Sequence, residues 1–137
     1  MLTQADFEDL ARFRLAVRRY LAFAERGARA AGLTSQQHQA LLEIKAQSYS
    51  GVITVGELAK GLLLKPHSAA ELVDRLGAND MIIREIAPSD RRVVHVRLTS
   101  KGESLLAQLS ERNLHELKVI SPSIGDVLER FENLVDL

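Results

Sequence analysis

No cysteine occurs in the 137 residues, which excludes a disulfide framework, a thiolate metal site and a thiol-based oxidation switch. Tryptophan is absent too, and aromatic residues make up only 4% of the chain. The core must therefore be built from Leu, Ile, Val and Ala, a composition that suits helices. No run approaches the roughly 18 consecutive apolar residues of a membrane span. The amino end carries Asp6, Glu8 and Asp9 where a secretory signal needs a basic start and an apolar stretch. The chain is accordingly expected to be cytoplasmic, with no membrane partner. There is no Gly-rich phosphate loop and no G-x-S-x-G turn. His67 and Ser68 are neighbours on one expected helix, so they point in different directions, and no third group orients them. Catalysis is not expected, and no cofactor is called for.

A surplus of charge is also missing: 18 basic residues balance 18 acidic ones. At first this argues against a nucleic-acid partner, because neutralising phosphates takes excess Lys and Arg. The distribution says otherwise. From Lys60 to Lys101 there are eight basic residues against five acidic ones, whereas from Gly102 onward there are three against seven. The middle of the chain is the positive part and the carboxyl end the negative part.

What is present is helical punctuation. Length fits one domain with its own core. Phe7, Leu10, Val17, Leu21, Ala24 and Ala28 recur at helical spacing, with Phe13 and Tyr20 widening the stripe, so a long first helix is predicted over 5–31 with Gly32 closing it. Arg12, Arg18, Arg19, Arg26 and Arg29 fall mostly off that stripe. Thr34 with Gln37 makes a T-x-x-Q capping box for a second helix, with Leu41, Leu42 and Ile44 expected inside. Ser48-Tyr49-Ser50-Gly51 reads as a loop and Val52-Ile53 as a brief edge strand at most. Thr54 with Glu57 caps a short third helix carrying Leu58 and Leu62 inward, with Gly61 near its end. Pro66 opens the fourth helix, at the first position where its missing N–H is no loss. Ala69, Leu72, Val73 and Leu76 give that helix a buried face, making a helix-turn-helix pair with the one before it.

Two β-rich runs follow, Met81 to Ile86 and Val93 to Leu98, joined by a loop from Ala87 to Arg92 that Pro88 stiffens and Asp90 can fix. Thr99 and Ser100, with Glu103 three residues after the serine, then cap a fifth helix running to about Ile120. Ser121-Pro122 is expected to restart a last helix whose Ile124, Val127, Leu128, Phe131, Leu134 and Val135 form an apolar stripe. The architecture expected is mainly α with a small β-hairpin wing: one domain over 1–137, a winged helix-turn-helix over 34–100, and helical dimerisation parts at 1–33 and 101–137. A short terminal helix so apolar on one face needs a partner. Phe7, Leu10, Val17, Ile124, Val127, Leu128, Phe131 and Leu134 are therefore assigned to an interface between two copies.

A helix the size of Pro66 to Gly77 fits a major groove, where base edges carry the sequence code. Lys65 and His67 stand at its amino end, Ser68 and Glu71 in its first two turns, and Arg75 further along, placed for a phosphate or for an ion pair with Glu71. Arg91 and Arg92 at the hairpin tip suit a narrow minor groove, with Asp90 as organiser rather than contact. A small organic effector is expected in a crevice near Arg14, Tyr20 and His38. His38, Glu111 and His115 are of ligand type, but two residues at i and i+4 with a remote third make a weak metal signal, and no metal site is assigned. Two alternatives stay open: a winged-helix module that docks on protein without touching DNA, and a metal-responsive regulator.

The order of these elements, with L-T-x-x-Q at Leu33 to Gln37, S-D-R-R at Ser89 to Arg92 and L-T-S-K-G at Leu98 to Gly102, resembles the MarR family of bacterial transcription regulators. The resemblance extends from Phe7 to Val135. It implies that Pro66 to Leu76 is the recognition helix, that Asp90 and Arg92 are the D-x-R of the wing, and that the first and last helices form the dimerisation layer. It further implies a homodimer on a pseudo-palindromic double-stranded operator, usually as a repressor relieved by an effector. Two positions depart from the family pattern: Lys65 replaces a serine-like cap before the recognition helix, and Asp80 stands where glycine is common before the wing.

Overall fold

Helix ends decide the layout of this chain. The computed structural model describes residues 1–47 and 52–134, so the loop predicted at 48–51 and the stripe residue Val135 lie outside the described residues. The elements are α1 (Gln4–Ala30), α2 (Ser35–Gln47), β1 (Ile53–Thr54), α3 (Val55–Gly61), α4 (Pro66–Ala78), β2 (Ile82–Ala87), β3 (Asp90–Leu98) and α5 (Ser100–Glu132). They form two compact units, a head over Ala28–Gln108 and a helical unit of Met1–Gly27 with the chain from Leu109 onward. The head thus takes in the last residues of α1 and the first turns of α5, which the sequence reading had placed in the helical part. No helix among the described residues is long and apolar enough to cross a membrane.

Both predicted capping boxes at the start of the head's helices are formed. The Thr34 N–H donates to Gln37 Oε1 at 2.9 Å and the Gln37 N–H to Thr34 Oγ1 at 3.1 Å. Thr54 and Glu57 repeat the exchange at 3.1 and 3.0 Å. Each pair satisfies two backbone donors that the helix leaves loose.

Three helices end in one and the same way. Past α1, Gly32 has φ +83°, its N–H reaches the Arg29 carbonyl, and the Leu33 N–H reaches back to Ala28 at 2.9 Å. Past α3, Leu63 has φ +55°, with Leu63 N–H on Lys60 and Leu64 N–H on Ala59 at 2.9 Å. Past α4, Asp80 has φ +58°, with its N–H on Gly77 and the Met81 N–H on Leu76 at 3.0 Å. Each is a left-handed closure of the kind that glycine favours. Only the first uses it. Aspartate tolerates the conformation, but a leucine there costs roughly 1–2 kcal/mol.

In the head, β3 is the central strand of a three-stranded antiparallel sheet in the order β1-β3-β2. Ile53 pairs with Val96 on one side, and Ile82 to Ile86 run opposite Leu98 to Val94 on the other. Leu41, Ile44, Ile53, Leu58, Val73, Leu76 and Val96 are completely enclosed, each worth roughly 1.5–3 kcal/mol of burial. Leu42, expected inside, is exposed. Successive helical residues are turned by about 100°, so a helix that buries Leu41 and Ile44 turns Leu42 outward.

The predicted six-residue wing loop is a two-residue turn, Pro88-Ser89. Asp90, Arg91 and Arg92 belong to β3, where the register slips between Ile86 and Ala87: Ile86 pairs with Val94 but Ala87 with Asp90. The arginines occupy this bulge, whose irregular pairing conceals the strand from a period-two pattern. At the far end of β3 it is Thr99, not Ser100, that caps α5. Its hydroxyl accepts from the Gly102 N–H at 3.1 Å and donates to the Asp80 carbonyl at 2.6 Å. Ser100 is already helical, and Glu103 pairs with Lys45 at 2.9 Å instead of closing a box. The Thr99 N–H donates to the Met81 carbonyl at 3.0 Å and Lys101 Nζ to the Asn79 carbonyl at 3.1 Å. A Cβ on Gly102 would overlap that same Met81 carbonyl oxygen.

In the helical unit, α5 runs straight through the predicted break, with Pro122 inside it. Pro122 leaves the Lys118 carbonyl without its helical donor, on a stretch where Lys118, Ser121, Pro122 and Ser123 are all exposed to solvent, and Ser123 Oγ donates to the Ile120 carbonyl at 2.9 Å. Asp9 of α1 takes two bonds of 2.7 Å from Arg130 of α5 and one of 3.0 Å from Arg12. Phe13 meets Phe131 edge-on with centroids 6.1 Å apart. The Arg112 guanidinium lies 3.8 Å over the Phe23 ring and donates to the Phe23 carbonyl at 3.1 Å. Rising numbers in α1 meet falling ones in α5, so the helices run antiparallel. Val127 is enclosed here and is a core residue rather than the interface residue expected.

Two outcomes follow from this packing. Gly102→Ala should lower thermal stability by about 1–3 kcal/mol, because forced overlap with backbone outweighs the ~1 kcal/mol that alanine gains in helix propensity; a melting temperature at or above the parent's would contradict the close approach. Arg130's hydrogen bonds hold the Asp9 carboxyl below its ordinary range, with burial opposing. A depressed carboxyl contributes stability above its unfolded pKa of about 3.9 and loses it as pH falls through the folded value. Melting followed from pH 7 to pH 3 should therefore show an acid-labile component that Asp9→Asn removes.

Candidate nucleic-acid interface

Helix α4 divides cleanly by face. Ala69, Leu72, Val73 and Leu76 are buried against α3, β2 and α2, which leaves His67, Ala70, Glu71, Asp74 and Arg75 exposed and Ser68 half-buried. Lys65 is the N-cap, extended at φ −70° and ψ 150°, with no side-chain bond to the helix, and Pro66 follows it in the first turn. At the amino end of α4 the Ser68 and Ala69 N–H groups donate to the Lys65 carbonyl at 3.0 and 3.1 Å and Pro66 has no N–H to give, so the positive end of the helix between the exposed Lys65 and His67 side chains is what suits phosphate oxygens.

Of the two roles open to Arg75, a phosphate contact or an ion pair with Glu71, the ion pair is not formed. Asp74 instead binds Arg84 of β2, tying the exposed face of α4 to the root of the hairpin. Sequence reading missed this pair because its members lie ten residues apart on different elements, where helical spacing has nothing to say.

At the hairpin, Asp90 and Arg92 form one unit. Asp90 Oδ1 accepts from the Arg92 backbone N–H at 3.0 Å and from Nε at 3.1 Å, and Oδ2 accepts from a terminal guanidinium nitrogen at 3.2 Å. The Arg92 side chain is nevertheless 91% exposed. Those side-chain bonds, then the backbone one, pull the Asp90 carboxyl below its usual range. The result is a guanidinium held in one orientation and fully offered to solvent. Arg91 beside it is also exposed. The two other hairpin arginines are engaged, Arg84 with Asp74 and Arg97 with Glu85 at 2.9 Å.

The remaining expected sites fare differently. His38 is buried in the head with Nε2 unpartnered, and burial pushes its pKa down, favouring the neutral ring. Arg14 and Tyr20 belong to the helical unit. A groove of about 520 Å³ in the head is lined by residues including Gly32, Asn79, Met81, Lys101 and Ser104, and none of the three expected effector residues lines it. Glu111 and His115 are exposed, and among the described residues no three His, Cys, Asp or Glu side chains gather to hold a metal. In the helical unit Phe7 is 54% exposed, with Leu10, Val17, Leu128 and Leu134 also open, while Ile124 and Phe131 are half-buried.

Residues 31–93 match the MarR family model. The HTH-type transcriptional regulator YsmB of Bacillus subtilis, itself uncharacterised, is 30% identical over 76 residues, 56% of this chain. The chain spans only 52% of that relative's length. In structure, YusO of Bacillus subtilis superposes with a TM-score of 0.72 at 17% identity, covering 97% of this chain and all of that one. A mutant of MarR from E. coli complexed with operator DNA gives 0.70 at 22%, over 87% of this chain and 84% of its own.

Proposed function

Taking as premise that this chain is MarR-like in the sequence of residues 31–93 and has the winged helix-turn-helix fold of MarR-family transcription regulators, we propose that it is a sequence-specific DNA-binding regulator, cytoplasmic and without catalytic activity. The observation that carries the reading is the exposed Arg92 guanidinium fastened by Asp90 on the same head as the exposed face of α4. Fixing a surface arginine costs side-chain entropy, and the solvent-screened pair repays little of it. A narrow minor groove repays more.

In this reading α4 enters a major groove, with Lys65 and Arg75 on phosphates and His67, Ser68 and Glu71 toward base edges. Arg92, joined by Arg91, enters the flanking minor groove. Two copies are joined through the exposed Phe7, Leu10, Val17, Leu128 and Leu134, together with the half-buried Ile124 and Phe131. Such a pair would read half-sites about one helical turn apart. The solved E. coli MarR mutant with operator DNA supports the DNA partner. Repression relieved by a small organic effector is the finer part of the proposal, supported by the open groove beside the carboxyl end of α4.

Purified protein and duplex DNA from beside its own gene, measured at two salt concentrations with random DNA as competitor, test this directly. Tight, competitor-resistant binding that weakens by orders of magnitude with salt is expected; binding only to protein partners would sink the reading. Arg92→Ala should cost about 1–3 kcal/mol of operator affinity. Leu128→Asp should turn a dimer into a folded monomer in sedimentation, and a dimer that persists would show the interface to lie elsewhere.

A further inference from the structure

Leu63 is 92% exposed, whereas Ile86, the next most open large apolar residue of the head among the described residues, reaches 64%. Its neighbours Leu62 and Leu64 are half-buried, so one leucine of three stands out alone. It does so from a fixed backbone: φ is +55°, locked by the bonds from Leu63 to Lys60 and from Leu64 to Ala59. The side chain thus adds almost no packing to the fold, while its conformation is one that glycine or asparagine would adopt with less strain. Strain kept at a rigid, exposed position points to use.

The position says what use. Leu63 sits in the helix-turn-helix turn, two residues before the N-cap Lys65, at the leading end of α4. An isolated leucine between Lys60 and Lys65 does not make an apolar patch that a protein surface could cover. It does match a polyanion carrying isolated methyl groups. In the major groove the one apolar feature is the C5-methyl of thymine.

We infer that Leu63 is a specificity residue that packs against a thymine methyl in each half-site, at the margin of the bases addressed by α4. The inference rests on the proposed DNA binding and adds a named base to it.

The test uses the full-length protein and a site selected by it from random duplex DNA. Binding of the parent, Leu63→Gly and Leu63→Asn is then measured on that site and on versions in which each thymine in turn is replaced by deoxyuridine, which pairs alike but lacks the methyl. At one symmetric position the replacement should weaken the parent by about 3- to 10-fold, the worth of a buried methyl-sized contact. Both variants should show the same loss on the thymine site and be indifferent to uridine there. Their affinity for random DNA and their salt slope should match the parent's, and neither should melt lower. Variants that respond to every uridine as the parent does, or that lose random and selected DNA equally, overturn the inference. A parent that selects no sequence at all overturns the DNA reading together with it, a result distinct from either of these.

Discussion

The first turn of α5 lands on three consecutive backbone carbonyls, and the head depends on that seam. Asn79 accepts from Lys101, Asp80 from the Thr99 hydroxyl and Met81 from the Thr99 N–H. These residues are where α4 stops and β2 starts, so one contact fixes the end of the exposed helix, the root of the hairpin and the departure of α5. Gly102 makes the approach close enough, since any side chain there would stand where the Met81 oxygen is. Asp80, in its left-handed conformation, turns the chain so that its carbonyl faces the threonine. The open end of the hairpin is held there, because Ile82 and Leu98, the residues bordering the seam, are paired.

Signals confined to one turn of helix were legible in the sequence. The two boxes at Thr34 and Thr54 form as read, Gly32 closes α1, and Pro66 opens α4 with its four apolar residues inside. What failed depended on partners distant in sequence. Glu103 looked like a box residue for Ser100 but is claimed by Lys45, and Arg75 looked like a partner for Glu71 while the pair that forms is Asp74 with Arg84. Pro122 looked like a helix break because local rules weigh the lost hydrogen bond and not the solvent that replaces it. The strand character of Asp90 to Arg92 was hidden by the bulge, although Asp90 as the organiser of Arg92 was readable from their spacing alone. Val127 could not be told from Leu128 by periodicity, since both lie on the apolar side of the helix and only packing shows which is covered.

A zero net charge fits this arrangement of ions. Arg84, Arg97, Lys45 and Arg92 of the head are each matched by an acidic side chain, which leaves Lys60, Lys65, Arg75, Arg91 and Lys101 of the head without an acidic partner among the described residues. A field so localised guides orientation more than it raises affinity for any polyanion. Recognition by such a surface leans on geometry, and the geometry is set by Asp90 at the wing and by the seam at the other end of the hairpin.

The two compact units differ in how the chain composes them. The head is one continuous stretch, Ala28 to Gln108, whereas the helical unit joins Met1–Gly27 to the chain from Leu109 onward. On the ribosome, where synthesis at about 5–20 residues per second lets earlier segments fold first, the head can complete itself while Asp9, Phe13 and Phe23 still lack Arg130, Phe131 and Arg112. For that interval α1 is an amphipathic helix without its counterpart. The packing of α1 on α5, and with it the outer apolar surface of the helical unit, cannot be completed until α5 has been synthesised, so the order of translation separates the two units in time.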